Sequence, residues 1–133
     1  MAKKTLVAVL CTLFVLCGLF VWAQPGSGRS HVVARIWHGV VPKAKANEYE
    51  KYLQDGVKQI LAIKGNLGAQ MMREDRGTTS EFEVISYWPS RKAIEAFAGK
   101  DINKTHSLPR DKEFLVTVEP TVRHYDVVFE RRK

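Results

Sequence analysis

Histidine is the side chain best suited to proton transfer near neutrality, and this chain has four: His31, His38, His106 and His124. His38 and His124 both fall in apolar, β-branched runs, so on neighbouring strands they would face one pocket. A neutral imidazole there could accept a proton, which makes His38 and His124 the candidate catalytic residues. The plainer reading of each is a hydrogen-bonded, partly buried imidazole. His38, His106 and His124 are 68 and 18 residues apart and form no His-x-His or His-x-x-x-His pair, so the spacing does not point to a metal. No glycine-rich phosphate loop and no serine elbow is present, and no cofactor is expected.

Aromatic residues add a second theme. Trp37, Tyr49, Tyr52, Trp88, Phe97, Tyr125 and Phe129 would wall a cavity between helices and a sheet, with Met71 and Met72 as adaptable surface. Trp88, Phe97, Tyr49 and His106 are the candidate substrate-pocket residues, suited to a flat hydrophobic molecule. The alternative is that they are core.

Bulk properties limit what these residues can serve. Lys3 and Lys4 precede a mostly apolar run from Leu6 to Trp22, which ends at Val21-Trp22-Ala23 before Gln24-Pro25-Gly26-Ser27-Gly28. This reads as a signal peptide over residues 1–23 and a linker over 24–30, so the domain is expected to be exported, periplasmic or secreted. The rival reading is a retained membrane anchor, because the 18 residues from Leu6 to Ala23 approach the ~20 that span a bilayer. Removing 23 residues from 133 leaves 110, enough for one domain. Cys11 and Cys17 both lie in the apolar run, so the exported part has neither a disulfide nor a thiol nucleophile. Its charge is about +5, from 19 basic and 14 acidic residues scattered without a stripe, which excludes a dedicated nucleic-acid surface. Arg131-Arg132-Lys133 makes residues 130–133 a basic tail.

The elements that must position the candidates can be read along residues 31–129. His31 to Val41 is a strand stopped by Pro42. Alternation puts Val32, Ala34, Ile36, His38 and Val40 on one face and Val33, Arg35, Trp37 and Val41 on the other. Lys43 to Lys64 is a helix, with Tyr49, Tyr52, Leu53, Val57, Ile60 and Leu61 as its apolar stripe, Gly56 allowing close approach of a sheet, and Gly65 closing it. Leu67 to Asp75 and Glu81 to Trp88 form a hairpin around Arg76-Gly77-Thr78-Thr79-Ser80. Ser90 caps a short helix that buries Ala93, Ile94, Phe97 and Ala98 and ends at Gly99. Lys100 to Lys112 is irregular, and Phe114–Glu119 and Val122–Phe129 are candidate strands. The order is a split βαβ, an α+β plan with both helices on one face of an antiparallel sheet. Val33, Trp37 and Val41, with Ile85 and Tyr87, are expected to cover the bare face and pair it with a second copy. A charge at Trp37 should then open the dimer.

The segments ARIWHGVVPKAKANEYEKYL, GNLGAQMMRED, EFEVISYWPSRKAIEAFAGKDINK and EPTVRHYDVV resemble the antibiotic biosynthesis monooxygenase domain family, from Val32 to Val128. The resemblance implies a ferredoxin-like βαββαβ fold, with room for one extra strand, and homodimers whose sheets pack into a dimeric α+β barrel. It also implies two activities: cofactor-independent oxygenation of polycyclic phenols, and haem degradation. The haem-degrading branch relies on an asparagine in the first strand, a tryptophan on the second helix and a histidine soon after. Here Arg35 and Ile36, Phe97 and His106 stand near those positions, so one of three is met, which argues against haem degradation. The leading expectation is an exported dimeric monooxygenase acting on an aromatic or quinone-like molecule. The alternative is a non-catalytic dimeric module that binds a hydrophobic ligand.

Overall fold

The computed structural model describes residues 31–117 and 119–131. The proposed signal peptide and linker, and the end of the basic tail, lie outside the described residues. Among the described residues, no helix is long and apolar enough to cross a membrane.

The order is β1 (Val33–Pro42), a 3-10 turn (Lys43–Lys45), α1 (Ala46–Leu61), β2 (Gly68–Arg76), β3 (Thr79–Trp88), α2 (Arg91–Ala98), a single-turn α3 (Asp111–Phe114) and β4 (Arg123–Asp126). The four antiparallel strands lie in the order β2-β3-β1-β4, the ferredoxin-like arrangement. The hairpin is tighter than expected: Arg76 pairs with Thr79, leaving Gly77-Thr78 as a two-residue turn in which Gly77 takes φ +57°. Ser90 caps α2 by accepting a hydrogen bond from the Ala93 amide, as its type predicts.

Three expectations are corrected. Helix α1 ends at Leu61, not Lys64, and Leu61 is exposed because it falls off the stripe in the last turn. Gly56 admits not the sheet but Leu108: a Cβ there would lie 2.6 Å from Leu108 Cδ1. The described residues of the Phe114–Glu119 segment do not form a strand. Phe114 closes α3, and beyond it only Val40 and Thr117 form a bridge, beside the end of β1 that β4 does not reach.

The sidedness of the sheet is also corrected. Val33, Arg35, Trp37 and Val41 are buried on the face that carries the helices, while Ala34, though also buried, faces the other side. Trp37 and Val41 pack with Tyr49, Leu53, Val57, Phe82, Val84 and Phe114, while Val33 joins Trp88 and Ile94 under α2. The opposite face carries Ala34, Ile36, His38 and Val40 of β1 opposite Tyr87, Ile85, Glu83 and Glu81 of β3. Ile85 and Tyr87 were therefore assigned to the correct side and Val33, Trp37 and Val41 to the wrong one. Both sets of β1 are apolar, so alternation alone could not say which faced inward. Trp37→Glu is now expected to lower stability by about 4 kcal/mol or more, because it empties a core site and buries a charge. Its circular dichroism melt should collapse, and a folded, well-behaved monomer would refute this placement.

Candidate functional site

The inward residues of β1 and β3 leave space where α1, α2 and the 100–111 segment converge. The resulting cavity has a volume of about 330 Å³, at the small end for ligand sites. Its wall is mostly apolar, with Trp37, Leu53, Val57, Ile60, Ile63 and Val84. Polar groups enter at few points: Arg35 and Ser86 from the sheet, His106 and Asp111 from the connecting segment, and Gln59 from α1. Phe97 of α2 completes it, its ring centre 4.9 Å from that of His106.

The closing segment is held by Asp111. This carboxylate is 3 % exposed. One oxygen accepts from the Tyr49 hydroxyl at 3.1 Å and the other from the Leu108 amide at 2.7 Å. Burial pushes its pKa up, opposed by those two hydrogen bonds and the nearby His106. Tyr49 is driven above the usual phenol range by its own burial and then by the Asp111 charge. The Tyr52 hydroxyl accepts from the Arg110 amide at 2.8 Å, a second tie between α1 and this segment.

The candidate residues separate. Phe97 and His106 line the cavity. Trp88 and Tyr49 are fully buried behind it: the Trp88 indole N–H donates to Ser86 Oγ at 2.9 Å and its ring stacks on Phe97. They support the wall and do not form it. His38 is on the opposite face of the sheet, with Nδ1 2.9 Å from Glu119 Oε1 and Nε2 3.8 Å from Glu81 Oε2. His124 faces the helix side opposite Arg35 in the β1–β4 register but is not part of the cavity wall. His38 and His124 therefore do not face one pocket. Tyr125, exposed, and Met72 lie on the open face, away from the cavity. Arg35 and Asp111 were missed as wall residues. The signal available for Arg35 was a charged residue between Val33 and Trp37 on one face of an apolar strand. Among the described residues, no group of three or more His, Cys, Asp or Glu side chains is placed to hold a metal ion.

Burial lowers the pKa of His124 below the usual imidazole value, and the charges of Arg35 and Arg91 lower it further. A histidine whose folded pKa is depressed binds its proton more tightly when unfolded. Its contribution to stability is thus complete above the unfolded value of ~6.5 and is lost as the pH falls below it. Urea unfolding measured at pH 7.5 and at successively lower pH should show this loss in the wild type and a smaller one in His124→Phe. Equal slopes for the two proteins would contradict it.

Residues 30–105 match the family described as antibiotic biosynthesis monooxygenase. The match runs from β1 through α2, and the segment from His106 onward, with β4, lies beyond it. No curated protein matches the chain. Among solved structures, a putative antibiotic biosynthesis monooxygenase from Nitrosomonas europaea is 14% identical with a TM-score of 0.58, covering 74% of this chain and 92% of its own. A haem-degrading protein from Mycobacterium tuberculosis is 22% identical with a TM-score of 0.53, over 76% and 99%. Another putative antibiotic biosynthesis monooxygenase, from Caulobacter crescentus, is 21% identical with a TM-score of 0.54, over 74% and 92%. At these identities the likeness is one of fold. Together with the match over residues 30–105, the β-α-β-β-α-β order and its sheet place this chain in the antibiotic biosynthesis monooxygenase family.

Proposed function

We propose that the cavity receives a small planar aromatic or quinone-like molecule and that the ligand's own deprotonated form reacts there with dioxygen. The observation that carries this reading is the composition of the wall: mostly apolar, with one imidazole, His106, exposed at its edge beside Phe97. A neutral His106 takes a proton from a carbon or oxygen acid on the ligand. In an anthrone-type CH2 flanked by rings, the carbanion adds dioxygen and forms a C–O bond. The resulting hydroperoxide loses water to leave a carbonyl, so one oxygen atom stays in the product and the other leaves as water. The ligand supplies the electrons. The protein supplies the base, the apolar enclosure that disfavours water, and the orientation of the rings.

Oxygen uptake with a panel of anthrones and hydroxyquinones tests the reading, with haem included because one structural neighbour degrades it. His106→Ala should lower turnover by roughly 100-fold while leaving the melting curve unchanged, since its side chain is exposed. His38→Ala, on the far side of the sheet, should leave turnover intact. Full turnover in His106→Ala would remove the base assignment. The second reading is a non-catalytic binding module for the same ligands. It is favoured by one observation: among the described residues, no hydrogen bond orients the His106 ring, where a working base is usually held by a third group. Ligand binding without oxygen consumption would select it.

The same reading includes a homodimer through the open face, where Ala34, Ile36 and Val40 lie across from Tyr87, Ile85 and Glu81. Ile36 sits at the centre of this patch. Light scattering should give twice the monomer mass, and Ile36→Glu should shift it toward monomer while the fold is kept, because Ile36 lies outside the core. A wild-type protein that stays monomeric at high concentration would exclude the dimer.

A further inference from the structure

Burial without a carboxylate partner among the described residues is the unusual property of Arg35. It is 4 % exposed, on the inward face of β1 between Val33 and Trp37. Burial lowers its pKa to about 10, so it is still a cation at neutral pH. A guanidinium has five N–H donors. Arg35 uses one, from Nη2 to the Lys104 carbonyl oxygen at 3.1 Å, and its Nε is buried without an acceptor among the described residues. The Phe97 ring lies 5.1 Å from Cζ, a cation–π contact that offsets part of the desolvation. Buried cations are otherwise paired with carboxylates.

A second orphan stands beside it. His124 is the β4 residue opposite Arg35, and its Nε2 is also buried with no partner among the described residues. Two unsatisfied nitrogens thus occupy one register pair. Arg35 is part of the cavity wall together with Phe97 and His106. The one carboxylate in that wall, Asp111, already accepts from Tyr49 and Leu108 with its two oxygens. Among the described residues, the basic end of the cavity therefore has no free anion of its own.

We propose that the ligand brings the anion: the cavity binds a planar aromatic acid, a carboxylate, phenolate or enolate, with its anionic oxygen on the Arg35 guanidinium and its rings against Phe97 and the apolar wall. This rests on the cavity being the ligand site and deepens that reading. An arginine fork favours such oxygens because its parallel N–H groups match their geometry. If the ligand is deprotonated in place, the same cation stabilises the form that meets dioxygen.

Titration calorimetry on the full chain with 2-naphthoate and 2-naphthamide tests this, since the two probes share shape and differ in charge. The wild type should bind naphthoate at least about ten-fold tighter than naphthamide. Arg35→Met should erase that preference and leave naphthamide within about two-fold, while Arg35→Lys should keep part of it as a point charge. Without ligand, Arg35→Met should melt at or above the wild-type temperature, because it removes a buried unpaired charge. A purely structural arginine would instead lower the melting temperature and leave the preference intact. Equal wild-type affinities for the two probes, or a preference that survives in Arg35→Met, overturns the anion assignment and leaves the cavity reading standing. A wild type that binds neither probe overturns both.

Discussion

Asp111 sits at the junction of two of the segments that enclose the cavity, α1 and the stretch after α2. A carboxylate buried to this degree is costly to hold in its charged form, and here the cost is met by two donors from different parts of the chain. The Tyr49 hydroxyl comes from the buried stripe of α1, and the Leu108 amide comes from the irregular segment after α2. Because one carboxylate binds both, it fixes the distance between the helix and the loop. Leu108 can then lie over Gly56, where any side chain would collide with it. Loss of this link would loosen the segment that carries His106, which the Arg110–Tyr52 hydrogen bond would still tie to α1. The geometry of the site thus depends on a group that does not belong to its chemistry.

The register of β1 against β3 decides what that enclosure contains. Trp37 lies opposite Val84 and Arg35 opposite Ser86, all four on the helix side and all four in the cavity wall. Shifting the register by one residue would exchange this set for Ala34, Ile36 and His38. The apolar wall, the buried arginine and the outward His38 therefore follow from a single pairing. The proposed oxygen chemistry would use the enclosed face, where water is disfavoured, and the proposed dimer would use the other.

Much of this was legible in the sequence, and its limits have physical causes. Element order could be read because Pro42, Gly77, Ser90 and Gly99 punctuate it with strong local preferences. The inward face of β1 could not, because both of its alternating sets are apolar and only the position of the helices distinguishes them. His38 and His124 looked equivalent as strand residues, yet they point to opposite faces. His106, in a polar stretch without periodicity, reached the cavity through tertiary ties that no local pattern encodes. Asp111 showed no sequence signal at all, since its partners are 62 residues and three residues away.

Arg35 carries the widest consequence of that misreading. On an open face, a charged residue among Val33, Trp37 and Val41 is ordinary and needs no partner. On the buried face the same residue is a standing cost, in a domain whose net stability is only about 5–15 kcal/mol. Proteins keep such costs where function returns them, and cavities are where they collect. On the helix side of the sheet, what would be an unremarkable surface charge becomes the residue proposed to select among ligands. The apolar wall alone would accept any flat molecule of suitable size. Among the described residues Arg35 is the one cation in that wall without a carboxylate partner, and in the proposed reading it gives the cavity its preference for anionic ligands.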